Sequence, residues 1–334
     1  TIPPRGPALP VDAALPGLAI ALRDRGLAVL VAPPGAGKTT RVPLALVDEP
    51  WCVGKVIVLE PRRIAARAAA DRMAWSIGEK AGETVGYRVR MQSRIGPRTR
   101  IEIVTEGVFT RMILADPSLE GVAAVIFDEF HERSLDGDLG LALALDARTA
   151  LRPELRILVM SATIDGARVA ALLGDAPVIE SRGRTFPVET RYRGRDPRQH
   201  LEPQVAAAVL DALHNETGSI LVFLPGAREI RRVESLLRDK LRDPLVDLAP
   251  LHGTMDPQAQ DNAIAPAPPG RRKVVLATSI AETSLTIEGV RVVIDSGLAR
   301  VPRYDPRTGL TGLDTVRVSR AAADQRRGRA GRVE

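Results

Sequence analysis

Aromatic residues make up only 3% of this 334-residue chain, cysteine occurs once, and lysine occurs five times. Each shortage excludes something. A lone thiol, Cys52, leaves no partner for a disulfide framework and no cysteine cluster for zinc, and it suits a reducing cytosol. So few aromatics argue against a module that stacks many bases on an aromatic platform. No apolar run approaches the ~20 residues that a membrane-spanning helix needs, so no membrane partner is expected. The opening TIPPRGPALP holds no uninterrupted apolar segment of the secretory-signal kind. What is present is 45% hydrophobic and 26% charged residues, which excludes a disordered tail. Basic residues outnumber acidic ones 47 to 41, and all but Lys38, Lys55, Lys80, Lys240 and Lys273 are arginine. The arginine excess is read first as GC-rich codon usage. The functional reading is phosphate recognition, because a planar guanidinium pairs with phosphate through two parallel hydrogen bonds.

At roughly 100–200 residues per domain, the length predicts two domains, each able to bury its own core. Short β-branched runs alternate with alanine- and leucine-rich stretches, the pattern of a parallel sheet with crossover helices, hence an α/β fold. The spacing predicts strands at Leu27–Ala32, Lys55–Leu59, Ile101–Thr105, Ala123–Asp128 and Arg156–Ser161. Helices are expected at Ile64–Trp75 and Leu139–Ala150. The sequence SRGRTFP (Ser181–Pro187) reads as a linker, which sets the domains at 1–184 and 185–334. Strands then resume at Ser219–Leu224, Lys273–Thr278 and Val290–Asp295, with PAPPG (Pro266–Gly270) as a surface loop.

The strongest single feature is APPGAGKTT at Ala32–Thr40, directly after a buried-looking strand. Pro34, Gly35, Ala36, Gly37 and Thr40 frame a loop whose glycines let backbone N–H groups curl around a phosphate ahead of a helix N-terminus. Lys38 is expected to reach the β- and γ-phosphates and the Thr39 hydroxyl to ligate Mg²⁺. The usual first glycine of GxxxxGK[ST] is replaced by Ala32, where the strand enters the loop. A phosphate loop needs a metal-orienting acid at a neighbouring strand end, and VAAVIFDE (Val122–Glu129) supplies two. Strand alternation points Asp128 and Glu129 in different directions, so that Asp128 holds Mg²⁺, partly through water, while Glu129 polarises the attacking water.

These acids continue as DEFHERSL, and the chain here resembles the DEAH/RHA family of superfamily 2 helicases, with Phe130 in place of the usual alanine. EPRR (Glu60–Arg63), TEG (Thr105–Gly107), SAT (Ser161–Thr163), FLPG (Phe223–Gly226), TSIAETSLTIEG (Thr278–Gly289) and QRRGRAGR (Gln325–Arg332) follow in family order. The DEFH variant and DPRTGL (Asp305–Leu310) look most like a bacterial branch of the family. The resemblance implies two tandem RecA-like domains of the P-loop NTPase type, with ATP and Mg²⁺ as cofactors and other NTPs accepted. It implies arginine fingers at Arg329 and Arg332, which sit three apart as on one helix face, and a water-positioning role for Gln325. His131 corresponds to the histidine that links the first domain to QRRGRAGR. Ser161, Ala162 and Thr163 correspond to the segment that couples the nucleotide to domain movement. The base is implied to lie against Arg72, with Ile264 where relatives carry an aromatic, and Thr286 and Glu288 near the ribose. With one planar side, weak base discrimination is expected.

RNA-backbone contacts carried over from the family are Arg62, Arg63, Thr105, Gly107, Arg228 and Thr283. Arg88 and Arg90, in the basic run GYRVRMQSR, are further candidates beside the plainer reading of a solvated face. Such contacts to phosphate and sugar give affinity without reading sequence. The stretch Val301–Val318 has hairpin turn residues and corresponds either to a strand-separating wedge or to a surface loop. The resemblance thus implies an ATP-dependent RNA helicase core. Its partner would be single-stranded RNA or an RNA duplex with an overhang, with 3′→5′ polarity, as a cytoplasmic monomer. The family's downstream domains are expected to be absent from this chain. The competing readings are a DNA translocase of the same superfamily and a non-catalytic RNA-binding scaffold. The intact lysine, both acids and both fingers oppose the scaffold.

Overall fold

In a computed structural model, residues 6–162, 166–181, 186–194, 196, 198–282, 285 and 287–332 are described, Arg332 through its backbone alone. The chain divides into two compact units, Thr1–Arg184 and Thr185–Glu334.

The first unit runs α1 (Leu15–Arg25), β1 (Leu27–Val31), α2 (Lys38–Leu46), β2 (Lys55–Glu60), α3 (Arg63–Ser76), β3 (Val85–Val89) and β4 (Gln92–Arg94). It continues through β5 (Ile101–Thr105), α4 (Glu106–Ala115), β6 (Val122–Phe127), α5 (Leu135–Ala150), β7 (Arg156–Ser161), α6 (Gly166–Leu172) and β8 (Val178–Glu180). The strands form one sheet in the order β4-β3-β5-β2-β6-β7-β1-β8, parallel throughout except for the antiparallel edge pair β3–β4. Period-2 alternation sorts the side chains into two cores. Leu30, Val56, Val58, Leu158 and Met160 face one side, against Leu18, Val42, Leu46 and Met73 of α1, α2 and α3. Val29, Ile57, Leu59, Val125 and Val159 face the other, against Phe109, Leu141 and Val169 of α4, α5 and α6. Local chemistry fixes the helix ends. Ser134 caps α5 by accepting from Gly137 N, with acids in the first turn and Arg148 in the last, as the helix dipole favours. Gly26 ends α1 in the left-handed region at φ 71°.

The second unit runs α7 (Leu201–Asn215), β9 (Ser219–Phe223), α8 (Ala227–Lys240), β10 (Val246–Leu251), α9 (Pro257–Ile264), β11 (Arg272–Ala277) and β12 (Val290–Asp295). It ends with β13 (Leu298–Asp305), β14 (Leu310–Arg317) and α10 (Arg320–Arg327). Its sheet is parallel, in the order β10-β11-β9-β12, and α7 and α8 pack Val205, Val209, Ile230, Val233 and Leu237 on one face. Among the described residues β13 and β14 pair only with each other, as an antiparallel hairpin in register from Leu298↔Arg317 to Asp305↔Leu310.

Every strand expected from the sequence is present to within a residue or two at its ends. The sequence reading missed β3, β4, β8 and β10. One expectation is corrected: α10 stops at Arg327 and a short 3-10 turn follows at Ala330–Arg332, so Arg329 and Arg332 do not share one helix face. The linker expectation falls mostly on residues 182–185, outside the described residues.

Candidate nucleotide site and motif loops

Five strands, neighbours in the order β5-β2-β6-β7-β1, are parallel, so the loops at their C-terminal ends emerge along one edge of the sheet. Those loops carry TEG, EPRR, DEFH, SAT and the phosphate loop respectively. In open α/β sheets this edge is where ligands bind.

The phosphate loop lies between β1 and α2. Pro34, Gly35 and Ala36 form its bend, with Gly35 at φ 83° and Gly37 at φ 92°, a region that favours glycine. At Gly37 a β-carbon would also lie 2.5 Å from Leu9 Cδ1. Gly37 caps α2 with no side chain of its own, so the first N–H groups of that helix are oriented for an anion. Thr40 follows in the first turn, with its hydroxyl donating to Gly37 O at 3.4 Å.

Lys38 and both acids converge. Lys38 Nζ lies 2.8 Å from Glu129 Oε1 and 4.0 Å from Asp128 Oδ1, with all three side chains buried. The Thr39 hydroxyl donates to Asp128 Oδ2. This corrects the expectation that the acids diverge. β6 stops at Phe127 and Glu129 takes a left-handed backbone, φ 50°, which turns its carboxylate back towards Lys38. Burial pushes the Asp128 carboxyl up to about 6, against the opposing pull of Lys38 and with help from the Glu129 charge. Burial alone would depress the Lys38 ammonium, but Glu129 and Asp128 outweigh it and hold its pKa above the ordinary value, so it stays charged. The site therefore fits Mg²⁺, which is bound by one or two carboxylates plus water and phosphate rather than by an all-protein cage.

The rest of the DEFH loop is explained by packing. Phe130 is buried and meets Phe127 edge-on at 6.2 Å, and Phe127 meets Phe109 the same way at 5.8 Å. That chain of three rings packs the Phe130 side chain into the first unit's core. His131, with its side chain 6% exposed, accepts from Ala162 N at Nδ1, 3.2 Å away, and places Nε2 3.4 Å from Glu129 Oε2. It thus ties SAT to DEFH within the first unit. Burial lowers its pKa and keeps the ring neutral. Ser161, at the end of β7, is buried, and Ala162 is half-buried.

The basic candidates differ in their surroundings. Arg62 pairs with Glu132 at 3.0 Å, and Arg63 is exposed at the start of α3. Thr105 and Gly107 open α4. Arg88 is held at 2.7 Å by the buried carboxylate of Glu102, which also pairs with Lys55, whereas Arg90 is exposed at the tip between β3 and β4. Arg72 lies over the ring of the exposed Trp75, 5.1 Å from its centroid. In the second unit Arg228 is exposed in the first turn of α8, Ile264 is half-buried at the end of α9, and Glu288 is exposed.

QRRGRAGR holds a residue that sequence reasoning passed over. Arg326 is fully buried, with Nε donating to Glu282 at 2.8 Å, Nη1 to Asp295 at 2.6 Å, and its guanidinium 4.8 Å from the Phe223 centroid. Arg329, also buried, donates from Nε to Glu282 O at 2.8 Å and from Nη1 to Leu285 O. Both arginines therefore fasten the TSIAETS loop. Gln325 is half-buried on α10. Thr163, Thr283 and Thr286 lie outside the described residues, as does the side chain of Arg332.

Comparison with known proteins agrees with this arrangement. Residues 18–172 match the family model "DEAD/DEAH box helicase", and residues 204–334 match "Helicase conserved C-terminal domain". The chain is 54% identical over 326 residues to the ATP-dependent RNA helicase HrpB of Escherichia coli (strain K12), and covers 98% of itself and 40% of that protein. It is similar to the crystal structure of the Escherichia coli DEAH/RHA helicase HrpB, with a TM-score of 0.91 over 97% of this chain and 41% of that one. A second structure, the E. coli DExH-box NTPase HrpB, gives a TM-score of 0.83 over 99% and 41%. The chain thus spans about 40% of the length of these relatives. With both family models aligned on the motif-bearing units, the chain belongs to the DEAD/DEAH box helicases.

Proposed function

We propose that this chain binds a nucleoside triphosphate on the Lys38 loop, hydrolyses it, and uses the cycle to move along single-stranded RNA and open duplexes, 3′→5′, without reading sequence. The observation that carries this reading is the convergence of Lys38, Thr39, Asp128 and Glu129 at the sheet edge that also bears EPRR, TEG and SAT. Phosphoryl transfer leaves little covalent chemistry to the protein, so positioning and charge do most of the catalysis. Lys38 and the α2 N-terminus hold the β- and γ-phosphates. Glu129 polarises the water that attacks the γ-phosphorus in line, and Gln325 helps to place that water. Arg329 and Arg332 stabilise the charge that develops on the γ-phosphate. Thr39 and Asp128 would hold Mg²⁺, with Glu129 nearby through water; when bound, it neutralises the phosphate oxygens. Arg72 packs on the base, with Thr286 and Glu288 near the ribose, and Ser161, Ala162 and Thr163 couple the nucleotide to movement. On the RNA side, Arg62, Arg63, Arg88, Arg90, Thr105, Gly107, Arg228 and Thr283 contact the backbone.

RNA is preferred over DNA as the track because the similar full-length protein is named an RNA helicase. NTP turnover measured alone, with single-stranded RNA and with a DNA of matched sequence tests the reading. Stimulation by RNA above DNA is expected, together with loss of turnover by at least about 100-fold in Lys38→Ala and in Glu129→Gln, the scale of removing a charge-stabilising group. Equal stimulation by both polymers would instead support the DNA-translocase reading. Near-parent turnover in either variant would remove the site.

A further inference from the structure

The DEFHERS loop leaves the central strand of the five that carry motifs, and its residues reach every neighbouring loop. Asp128 and Glu129 meet Thr39 and Lys38 of the phosphate loop. His131 Nδ1 accepts from Ala162 N of SAT at 3.2 Å. Glu132 pairs with Arg62 of EPRR at 3.0 Å, and the Ser134 hydroxyl donates to Glu106 of TEG at 2.6 Å. The last two partners belong to the proposed RNA track, and the first two to the nucleotide. Between them lies one 3-10 turn, Phe130–Glu132, bracketed by two left-handed residues that are not glycine, Glu129 at φ 50° and Arg133 at φ 48°. Such conformations cost energy and persist only where the surroundings enforce them. The enforcing contacts are visible: Phe130 is locked against Phe127, and Arg133 is forked onto Asp138 at 3.1 and 2.9 Å.

We propose that Glu132 and Ser134 are positioning residues through which occupancy of the RNA track reaches Glu129. The inference rests on the reading above, that Arg62 and the TEG segment contact RNA phosphate. Neither residue touches nucleotide or metal in this account. The element has two arrangements, distinguished by the partner of Arg62. With Glu132 as partner, the turn holds the Glu129 carboxylate on Lys38, 2.8 Å away. With an RNA phosphate as partner, Arg62 releases Glu132, and the turn lets Glu129 face the attacking water. Ser134 anchors the C-terminal end of the same loop. Its hydroxyl accepts from Gly137 N to start α5 and donates to Glu106, so a shift of TEG moves the base of the loop. Coupling of this kind needs a two-state element that both sites bias, and the proposal assigns that part to the turn.

The test measures turnover at saturating NTP without RNA and with saturating single-stranded RNA, KM for NTP, and RNA affinity by fluorescence anisotropy. It uses Glu132→Gln, Ser134→Ala and Ser134→Thr, each checked by thermal unfolding. In Glu132→Gln the holding pair with Arg62 is lost, so the basal rate should rise towards the stimulated one with KM unchanged, and the RNA-stimulated to basal ratio should fall at least about fivefold, the lower end of ordinary coupling between sites. Ser134→Ala should lose stimulation likewise, and Ser134→Thr, which keeps a hydroxyl that caps and donates, should restore it. Parent-like stimulation in Glu132→Gln overturns the proposal. So does an equal fall in basal and stimulated rates, which marks a merely structural role. A parent chain that RNA does not stimulate at all refutes the RNA reading itself, and the proposal with it.

Discussion

Arg326 and Arg327 are neighbours in sequence, yet they should respond to alanine in opposite ways. Arg326 is fully buried between Glu282 and Asp295, whose side chains are 11% and 24% exposed. It makes two bonds to Glu282, at 2.8 and 2.5 Å, one to Asp295 at 2.6 Å and one to Leu298 O at 3.3 Å. Truncation removes these bonds and strands two largely desolvated carboxylates, so the cost should fall at about 3–5 kcal/mol, the range for breaking a buried ion pair. Arg327 pairs with Asp324 with both side chains 54% exposed, and its replacement should stay within about 0.5 kcal/mol. Urea unfolding can separate the two units. Both tryptophans, Trp51 and Trp75, lie in the first unit, so fluorescence reads that unit while far-UV ellipticity reads both. For Arg326→Ala, with a urea dependence of about 2 kcal/mol per molar, the second unit's midpoint should fall by about 1.5–2.5 M. Arg326→Lys, which cannot bridge both acids at once, should fall between. A midpoint for Arg326→Ala within about 0.3 M of the parent would refute the reasoning, because four bonds to a buried guanidinium would then contribute almost nothing net.

Further outcomes follow from the same geometry. Because burial raises the Asp128 pKa to about 6, its ionised form is the costly one. The group favours the fold below the ordinary carboxylate range and loses that contribution as pH rises through about 6, whereas metal binding needs the ionised form. At limiting Mg²⁺, turnover should therefore fall as pH drops below about 6 and recover with added Mg²⁺; an acid limb unmoved by Mg²⁺ would contradict the assignment. Gly37→Ala combines a positive φ with the approach of Leu9, and should lower nucleotide affinity in equilibrium titration; a variant that binds like the parent would deny the loop its role. Arg63→Ala and Arg228→Ala should each lessen the slope of log affinity against log salt by about 0.7 if each contacts one RNA phosphate, and an unchanged slope would remove that residue from the track. If Ile264 stands where the family resemblance would put a base-stacking aromatic, turnover of ATP, GTP, CTP and UTP should be similar; a marked preference for ATP would point to a second stacking partner.

The sequence was legible where chemistry and chain direction coincide. Lys38, Asp128 and Glu129 each stand at the C-terminal end of an apolar run, and parallel strands bring such ends to one edge. Their mutual orientation was not legible. Alternation holds only while the strand lasts, and β6 stops one residue before the pair. β10 was missed because its half-buried run VDLAPL is broken by Pro250, which suits an edge strand and reads as a loop. β4, three residues long at the other sheet's edge, carries too little pattern to detect. Arg326 was overlooked in a row of arginines because spacing says nothing of which one is buried. Only the fold brings Glu282 and Asp295, 44 and 31 residues away in sequence, to its guanidinium.

Among the described residues the hairpin of β13 and β14 has no third strand, and Val301, Tyr304, Leu310 and Leu313 stand exposed along it. A two-stranded ribbon of this kind is marginally stable by itself, so its direction is set at its root. Two buried-end contacts fix that root: Arg326 donates to Leu298 O, and Arg300 pairs with Glu229 at the first turn of α8. The ribbon is thus anchored at its root, in part by QRRGRAGR. Eight residues extended at about 3.4 Å each reach about 27 Å, so a tilt of about 10° at the root would carry the tip about 5 Å. A small change of angle at Arg326 would thus be a displacement of several ångströms at the other end.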